Sequence, residues 1–220
     1  MASNDQITTL VGGGPVDPAV LKEAVSLSGQ IVGVDGGTAH LHTAGITPNT
    51  ILGDMDSVPP DLMWPGTPPK EITLTDQDTT DFEKALKHFG AGIYLAVGFT
   101  GGRSDHYLAV LDVMLRYPEH HVTLMDEFSI STIVPVGDTQ IDLPTGTQIS
   151  LMPLVPTDCL TSAGLRWPIN GWSMAMGKAV SISNEVSQSP ITLSFSDRAV
   201  LAQAPAKLGP SWSMTLARTN

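Results

Sequence analysis

Two short acidic clusters lie in the first half of the chain: Gly53-Asp54-Met55-Asp56-Ser57 and Asp76-Gln77-Asp78-Thr79-Thr80-Asp81. Carboxylates this close repel one another and lose solvation when partly buried, so a bound cation or hydrogen-bond donors must offset the cost. Carboxylate oxygens are the ligands that Mg²⁺ prefers, and Mg²⁺ beside glycine-rich segments indicates a nucleotide polyphosphate. The two clusters therefore predict metal-assisted phosphoryl transfer.

Each cluster also has a purely structural interpretation. Gly-Asp and Asp-Ser pairs are common in turns, and the second cluster could be a helix N-cap, for which about two of its residues would suffice. Asp35, Asp54 and Asp56 all follow predicted strands, at the carboxyl ends where open α/β sheets bind ligands. In an extended segment, Asp54 and Asp56 would project to the same side. Whether Asp76 and Asp78 contact the metal stays open.

A glycine run, Gly12-Gly13-Gly14-Pro15, joins the first predicted strand to the first predicted helix. Backbone N–H groups at Gly13 and Gly14 could cradle a phosphate there. The run lacks the Lys-Ser/Thr ending of a P-loop, so by itself it is only supporting evidence.

A second glycine segment, Gly101-Gly102-Arg103-Ser104-Asp105-His106, precedes another predicted helix. Arg103 offers a planar, permanently charged fork that suits a phosphate. Ser104 or Asp105 is expected to cap the helix. For His106, a packed imidazole and a catalytic one remain alternatives.

The first half alternates short apolar strands with amphipathic segments, the pattern of βαβ units and a mostly parallel sheet with flanking helices. Strands are predicted at residues 7–11, 31–34, 50–52, 71–74, 93–97 and 122–125, and helices at 18–27, 38–44, 81–88 and 105–117. Asp17 is the expected N-cap of the first helix, and Thr79 or Thr80 that of the third.

After about residue 126 the helical pattern stops, and apolar residues alternate with Thr, Ser and Gln. Strands are predicted at residues 128–134, 139–143, 148–154, 178–183, 191–195 and 199–203, with a hairpin turn at 183–185. Trp167 and Trp172 are expected to pack in this half, with stacking on a ligand as the alternative. The predicted domains are an α/β domain, residues 1–126, and an all-β sandwich, residues 127–220.

The composition argues against several classes of protein. The net charge is −11 with only 11 Lys and Arg residues, which argues against nucleic-acid binding. Cys159 is the only cysteine, so an intrachain disulfide is impossible and a reducing compartment fits best. The first residues lack a basic segment followed by an apolar run, and no stretch is apolar enough to span a membrane. We expect a cytoplasmic protein.

Taken in order, four motifs resemble the signature of the thiamine pyrophosphokinase (thiamin diphosphokinase) family. They are Asp35-Gly36-Gly37, Gly53 to Ser57, Asp76 to Phe82 and Gly101 to His106. The resemblance continues through Gly164-Leu165-Arg166-Trp167-Pro168 and Ser181-Ile182-Ser183-Asn184-Glu185, so it covers nearly the whole chain.

The resemblance implies transfer of a pyrophosphoryl group from ATP to the hydroxyl of thiamine, which gives thiamine diphosphate and AMP. It implies that residues 1–126 bind ATP and Mg²⁺. Residues 127–220 would form a β-sandwich that helps to bind thiamine across a homodimer interface.

The resemblance also implies roles for individual residues. The catalytic acidic and phosphate site would comprise Asp35, Asp54, Asp56, Asp81 and Arg103, with Asp54, Asp56 and Asp81 on the metal. The ATP-binding residues would be Gly13, Gly14, Gln77, Thr80, Arg103 and Asp105. Trp167 would pack against thiamine, and Ser183 and Asn184 would hydrogen-bond its aminopyrimidine.

Three alternatives remain at this point. A pterin diphosphokinase could share the first domain, but it would not need the β domain with Trp167. A non-enzymatic thiamine or nucleotide binder would have little use for so dense an acidic site. A metal-dependent nucleotide hydrolase would cleave ATP without an acceptor.

Overall fold

The computed structural model describes residues 7–55, 62–76 and 78–216. The chain divides into two compact units, residues 1–127 and 128–220. The boundary predicted between residues 126 and 127 lies one residue before this division. Each unit has its own arrangement of strands.

In its described residues, the first unit is a six-stranded parallel sheet with four helices. Its strands are β1 (Thr8–Val11), β2 (Gln30–Val34), β3 (Thr50–Gly53), β4 (Lys70–Thr73), β5 (Gly92–Val97) and β6 (His120–Met125). Its helices are α1 (Pro18–Ser26), α2 (Gly37–Thr43), α3 (Asp81–Phe89) and α4 (Ser104–Arg116). The strand order is β6-β5-β1-β2-β3-β4, and every neighbouring pair is parallel.

Burial along these strands explains why the sequence forms a parallel sheet. All residues of β1 and β3 are buried, and so are all of β5 except its first residue. Central strands that helices cover on both faces have nearly continuous apolar sequences, without the alternation of half-exposed strands. The α/β prediction is confirmed, and each predicted element of this half is present with its ends within two residues.

Local signals also place the helix starts. Asp17 Oδ1 accepts hydrogen bonds from the N–H groups of Ala19 (2.8 Å) and Val20 (3.1 Å), as expected of an N-cap. Of the two threonine candidates, Thr80 caps α3 by accepting from Glu83 N at 3.2 Å.

The predicted cap of α4 is wrong. Ser104 is already the first helical residue, Arg103 occupies the N-cap position, and no described side chain caps this end. Gly101 and Gly102 both have positive φ, 72° and 64°, so the chain turns into the helix one residue earlier than expected. Among the described helices, none is long and apolar enough to cross a membrane.

The second unit contains two antiparallel sheets. Its strands are β7 (Ser129–Ile133), β8 (Thr139–Ile141), β9 (Gln148–Pro153), β10 (Thr157–Ala163), β11 (Ser173–Met174), β12 (Ser181–Glu185), β13 (Ile191–Phe195) and β14 (Val200–Pro205). The strand orders are β12-β9-β14-β7 and β11-β10-β13-β8. A 3₁₀ turn, Ala206–Leu208, and a short helix α5, Ser211–Leu216, follow β14.

The second half departs from its predicted details more than the first. Strand β10 was not expected because the positions that it buries include Thr157 and Ser162, which hide the apolar alternation. The turn predicted at residues 183–185 is wrong, since these residues lie in β12, which pairs with β9 across a register shift. The short helix α5 was also missed. The prediction of an all-β sandwich is nevertheless confirmed at the level of fold class, because the described residues of this half are mostly antiparallel strands.

A buried carboxylate joins α3 to α4. Glu83 is 5% exposed, and Arg116 donates to both of its oxygens, at 3.0 and 2.7 Å. Lys87 Nζ lies 2.8 Å from Glu83 Oε1, and the Tyr117 hydroxyl donates to the same oxygen at 2.6 Å. The Arg116 guanidinium, together with Lys87 and Tyr117, holds the pKa of the Glu83 carboxyl far below its usual value. The ion pairs stabilise the contact between the two helices.

Glu83→Gln should lower the free energy of unfolding by about 2 kcal/mol at pH 7, because the neutral amide loses the charge-assisted bonds. The folded pKa lies below the unfolded value of about 4.3. The carboxylate therefore stabilises the fold above that pH, and its contribution falls as the pH drops below it. Urea unfolding of both proteins at pH 7 and at lower pH measures the difference.

The stability gap between wild type and Glu83→Gln should narrow as the pH drops. Glu23→Gln, at an exposed position of α1, should be neutral at both pH values. A gap that does not change with pH would contradict the assigned role of Glu83.

Gly37 begins α2 directly against the end of β1. A Cβ atom at this position would lie 1.8 Å from the Val11 carbonyl oxygen, so only glycine fits without moving backbone. Gly37→Ala should therefore destabilise the protein by about 3 kcal/mol or more. The melting temperature followed by circular dichroism measures this.

Gly92→Ala provides the matched control. Its Cβ would meet only the Tyr94 ring, at 3.6 Å or more, which is ordinary contact. A Gly37→Ala protein as stable as Gly92→Ala would show that the contact with Val11 is easily relieved.

Candidate active site

The loops that follow β1, β2, β3 and β5 carry most of the predicted site residues of the first unit. These strands are consecutive in the order β5-β1-β2-β3 and parallel, so their carboxyl ends meet at one edge of the sheet. Open α/β sheets bind ligands at this edge.

The loop after β1 lies against the loop after β5. Gly12 N–H donates to Val97 O at 2.8 Å, and Gly14 N–H donates to Gly98 O at 2.9 Å. A Cβ atom at Gly12 or Gly14 would approach Gly98 O to 2.7 or 2.8 Å. The glycines are therefore required for close approach of two backbones. Because Gly14 N–H is already bonded, it shapes the loop rather than offering a donor to a ligand.

The same loop also contacts the residues that follow β2. A Cβ at Gly13 would lie 3.4 Å from Gly36 Cα. The Gly14 carbonyl is hydrogen-bonded to His40 Nε2, which lies on α2, at 2.9 Å. His40 therefore fixes the glycine loop, a role that its position in the sequence does not reveal.

Asp35 lies at the carboxyl end of β2, as predicted. Its N–H donates to Leu52 O in β3 at 2.8 Å, and its carbonyl accepts from Thr38 N at 3.0 Å. Its φ is 45°, a left-handed conformation that Asp tolerates better than most residues and that is common at functional sites. A Cβ at Gly53 would lie only 3.1 Å from Asp35 Cβ. Asp35 therefore lies beside the end of β3.

Asp54 follows β3 directly, so it lies at the neighbouring strand end. The extended geometry predicted for this segment is wrong, because Met55 has a φ of 69° and turns the chain away from the strand. Asp56 lies outside the described residues.

In the second acidic cluster, Asp76 closes a turn with its own neighbours. Its carboxylate accepts from Asp78 N at 2.9 Å and from the Thr79 hydroxyl at 2.6 Å. Both hydrogen bonds lower the pKa of the exposed Asp76 carboxyl, and the bond from Thr79 contributes more than the bond from Asp78. Asp76 thus acts locally as a cap. Gln77 lies outside the described residues.

Asp81 is the first residue of α3, a helix that packs against β2 and β3. Its Oδ1 accepts from Lys84 Nζ at 3.0 Å, and the lysine side chain is only 7% exposed. The spacing of three residues places both groups on one helix face. The buried ammonium thus lies beside a predicted metal-binding carboxylate.

Arg103, at the N-cap position of α4, forms a bidentate ion pair with Asp105 in the first turn of that helix. The bonds run from Arg103 Nε to Asp105 Oδ1, 3.2 Å, and from Nη2 to Oδ2, 2.7 Å. The guanidinium lowers the pKa of the Asp105 carboxyl. Both side chains are exposed, so a phosphate could replace the carboxylate at little cost. His106 is exposed, which excludes the packed-imidazole alternative.

Carboxylates of the type that Mg²⁺ prefers thus lie at adjacent strand ends, at Asp35 and Asp54. Within residues 7–55, 62–76 and 78–216, no three Asp, Glu, His or Cys side chains come close enough to hold one ion. The donor type and the strand-end position fit Mg²⁺. The predicted set Asp54, Asp56 and Asp81 includes one residue outside those ranges.

In the second unit, Ser183 lines an open cleft of about 200 Å³. The other lining residues are Phe128, Ser129, Gln148, Ser150, Gln203, Ala204 and Pro205. Ser183 has a φ of 56°, and its N–H donates to the Ser150 hydroxyl at 3.0 Å. The cleft is uncharged and rich in hydrogen-bonding side chains.

The two tryptophans expected to pack inside this unit are instead exposed, Trp167 by 54% and Trp172 by 43%. Trp167 precedes Pro168 in a segment between strands. The Arg166 guanidinium lies over its indole, 5.1 Å from the ring centroid, in a cation–π contact. The packing prediction is therefore wrong for both, and Trp167 offers aromatic surface to a ligand.

Asn184 is buried, with 3% of its surface exposed. Its amide bonds to the backbone of Trp167 in both directions: Nδ2 donates to the carbonyl at 2.7 Å, and Oδ1 accepts from the N–H at 3.2 Å. The family resemblance implies a bond from this amide to the aminopyrimidine of thiamine, which stays a prediction.

Two residues near the site were missed from the sequence. Lys84 could have been found from its spacing to Asp81. His40 carried no such signal, because its contact with Gly14 joins residues far apart in the chain.

Comparison with known families identifies both halves. The model for the thiamin pyrophosphokinase catalytic domain matches residues 21–125, and the model for the vitamin B1 binding domain of the same family matches residues 138–200.

Individual relatives agree. The chain is 31% identical over 166 residues to thiamine pyrophosphokinase 2 of Arabidopsis thaliana, covering 66% of this chain and 61% of the relative. It is 29% identical over 174 residues to thiamine pyrophosphokinase of Bacillus subtilis, covering 74% and 81%. The chain spans 61% of the length of the two Arabidopsis relatives that it matches.

Solved structures give the same result. Thiamin pyrophosphokinase from Geobacillus thermodenitrificans superposes with a TM-score of 0.72 at 28% identity, covering 91% of this chain and 97% of that one. The enzyme from Candida albicans superposes with a TM-score of 0.80, covering 92% and 89%, and at 18% identity it supports the fold alone. With both domain models matched in order along the sequence, the chain belongs to the thiamin pyrophosphokinase family.

Proposed function

We propose that the protein transfers the pyrophosphoryl group of ATP to the hydroxyl of thiamine, which yields thiamine diphosphate and AMP. Family membership supports this reaction. The observation that carries it is the meeting of Asp35, Asp54 and the glycine loops at the carboxyl edge of one parallel sheet.

We propose that the first unit binds ATP with Mg²⁺ held by Asp54, Asp56 and Asp81, and with Asp35 beside them. When bound, Mg²⁺ would neutralise charge on the phosphate oxygens. Lys84, bonded to Asp81 Oδ1, would keep that carboxylate oriented and leave Oδ2 available for the metal or the acceptor hydroxyl.

Arg103 would release Asp105 and take phosphate oxygens in its place, since a guanidinium binds both groups through the same two-pronged geometry. Its permanent charge would then stabilise the transferring group. Gly13 would offer its backbone to the phosphates, while Gly14 and His40 hold the loop in place. Gln77, Thr80 and Asp105 complete the proposed nucleotide site.

The thiamine hydroxyl would attack the β-phosphorus of ATP, with AMP as the leaving group. We propose that Asp81 Oδ2 or an Asp56 oxygen accepts the hydroxyl proton or orients the alcohol. In the second unit, the Trp167 indole would stack on an aromatic ring of thiamine, and the Ser183 hydroxyl would bond its aminopyrimidine.

A homodimer and a cytoplasmic location are part of the same proposal. A reducing compartment suits a chain whose single cysteine, Cys159, is buried and unpaired in the described structure.

Incubation with ATP, Mg²⁺ and thiamine, followed by chromatography, tests the reaction. We expect equimolar AMP and thiamine diphosphate, and no product when chelator removes the metal. AMP formed without thiamine would instead identify a nucleotide hydrolase. The absence of any turnover would identify a binding protein, and turnover of a pterin alcohol in place of thiamine would identify a pterin enzyme.

Asp54→Ala, Asp81→Ala and Arg103→Ala should each lower kcat by about 100-fold or more, because the first two remove a proposed metal ligand and the third removes the cation that would bind the phosphates. Circular dichroism should show an unchanged fold. Asp112→Asn, on the outer face of α4 where it pairs with Arg116, is the matched control and should keep full activity. Normal activity in all three site variants would refute the site.

A further inference from the structure

The amide of Asn184 has no hydrogen-bonding capacity left for a ligand. Besides its two bonds to Trp167, Nδ2 donates to the Ser181 hydroxyl at 3.0 Å, and Oδ1 accepts from Glu185 N at 2.8 Å. A carboxamide has two N–H donors and two acceptor lone pairs, so all four positions are filled. With the side chain buried, a direct bond to a ligand would require breaking one of these bonds.

The segment that carries Trp167 is held by more than this amide. Arg166 N–H donates to Glu185 O at 2.8 Å, and Leu165 forms a β-bridge with Val186. Residues 165–167 are thus paired with residues 184–186. The Arg166 guanidinium bonds to Glu185 Oε1 at 3.2 Å and lies over the indole of Trp167.

This anchoring is notable because the side chain that it holds is exposed. An exposed indole gains little from burial, so the four hydrogen bonds made by the buried Asn184 amide are not explained by packing of Trp167 itself. A fixed aromatic ring, however, loses less conformational entropy when a flat ligand stacks on it. The anchor is explained if Trp167 must be ready for a ligand.

We propose that Asn184 is a positioning residue: it locks the Trp167 backbone so that the indole forms a rigid platform for an aromatic ring, and it does not bond the ligand itself. That the ring belongs to thiamine rests on the proposed function. Asn184 is thus assigned a role through Trp167, in place of the contact with aminopyrimidine that the sequence suggested.

A double-mutant cycle tests this role, with thiamine and ATP titrated separately against wild type, Asn184→Ala, Trp167→Ala and the double variant. Each single variant should raise the KM for thiamine about tenfold, the range of one aromatic contact, and leave the KM for ATP unchanged. The double variant should be no worse than Trp167→Ala, because Asn184 acts only through the indole. Effects that multiply to about 100-fold would show a direct bond and overturn the proposal.

A second measurement needs neither substrate nor activity. In the full chain labelled with 5-fluorotryptophan, Trp167→Phe identifies the ¹⁹F signal of Trp167 among the four tryptophans. Asn184→Ala should shift or broaden that signal while the signals of the other tryptophans stay in place. An unchanged Trp167 signal would overturn the proposal even if thiamine binding were weakened.

Asn170→Ala is the matched control. Its amide oxygen accepts from the Ser162 backbone N–H in the same unit, but the side chain is exposed and does not bond Trp167. It should change neither the thiamine KM nor the Trp167 signal. If Asn184→Ala fails to fold, Asn184→Asp keeps the size and the acceptor but removes both donors, and the same results are expected.

A wild-type protein that neither binds thiamine nor transfers a pyrophosphoryl group to it would refute the proposed function. The ¹⁹F measurement would still decide whether Asn184 positions Trp167, so the two failures are distinguishable.

Discussion

Close backbone approach at the carboxyl edge of the parallel sheet is the constraint on which the first unit depends. Gly12 and Gly14 lie so near Gly98 that a methyl group would collide with its carbonyl, and Gly37 lies against Val11 in the same way. These contacts bring the loops after β1, β2 and β5 together. The acidic residues that follow β2 and β3 lie at the same edge because these two strands are parallel neighbours in the sheet.

The electrostatics of the unit follow from that arrangement. The chain carries a net charge of −11, with 22 Asp and Glu against 11 Lys and Arg residues. Lys84 bonds Asp81 and Arg103 bonds Asp105, the first pair with a buried lysine and the second with both side chains exposed. Glu83 differs, because its buried bonds to Arg116 and Tyr117 serve the contact between α3 and α4. Neighbouring acidic residues of one helix thus have separate tasks.

In the second unit, an aromatic side chain is exposed and yet held in a fixed position. Packing in a core cannot fix an exposed side chain, so hydrogen bonds to its backbone hold it instead. Asn184 holds both polar groups of the Trp167 backbone, and its neighbour Glu185 holds Arg166 over the ring. The β-strand geometry of residues 181–185, where the sequence suggested a turn, is what brings the amide to Trp167.

The sequence by itself determined the fold class, the elements of the first unit, the N-cap residue Asp17, and the strand-end positions of Asp35 and Asp54. It left the cap of α3 open between Thr79 and Thr80. These features depend on local periodicity and on turn chemistry, which neighbouring residues specify. Only the tertiary structure decided that Gly14 is bonded to Gly98 and His40, that Trp167 is exposed and that Asn184 is fully bonded within the protein. Those outcomes depend on contacts between residues distant in the chain, and no local pattern encodes which hydrogen-bonding groups remain for a ligand.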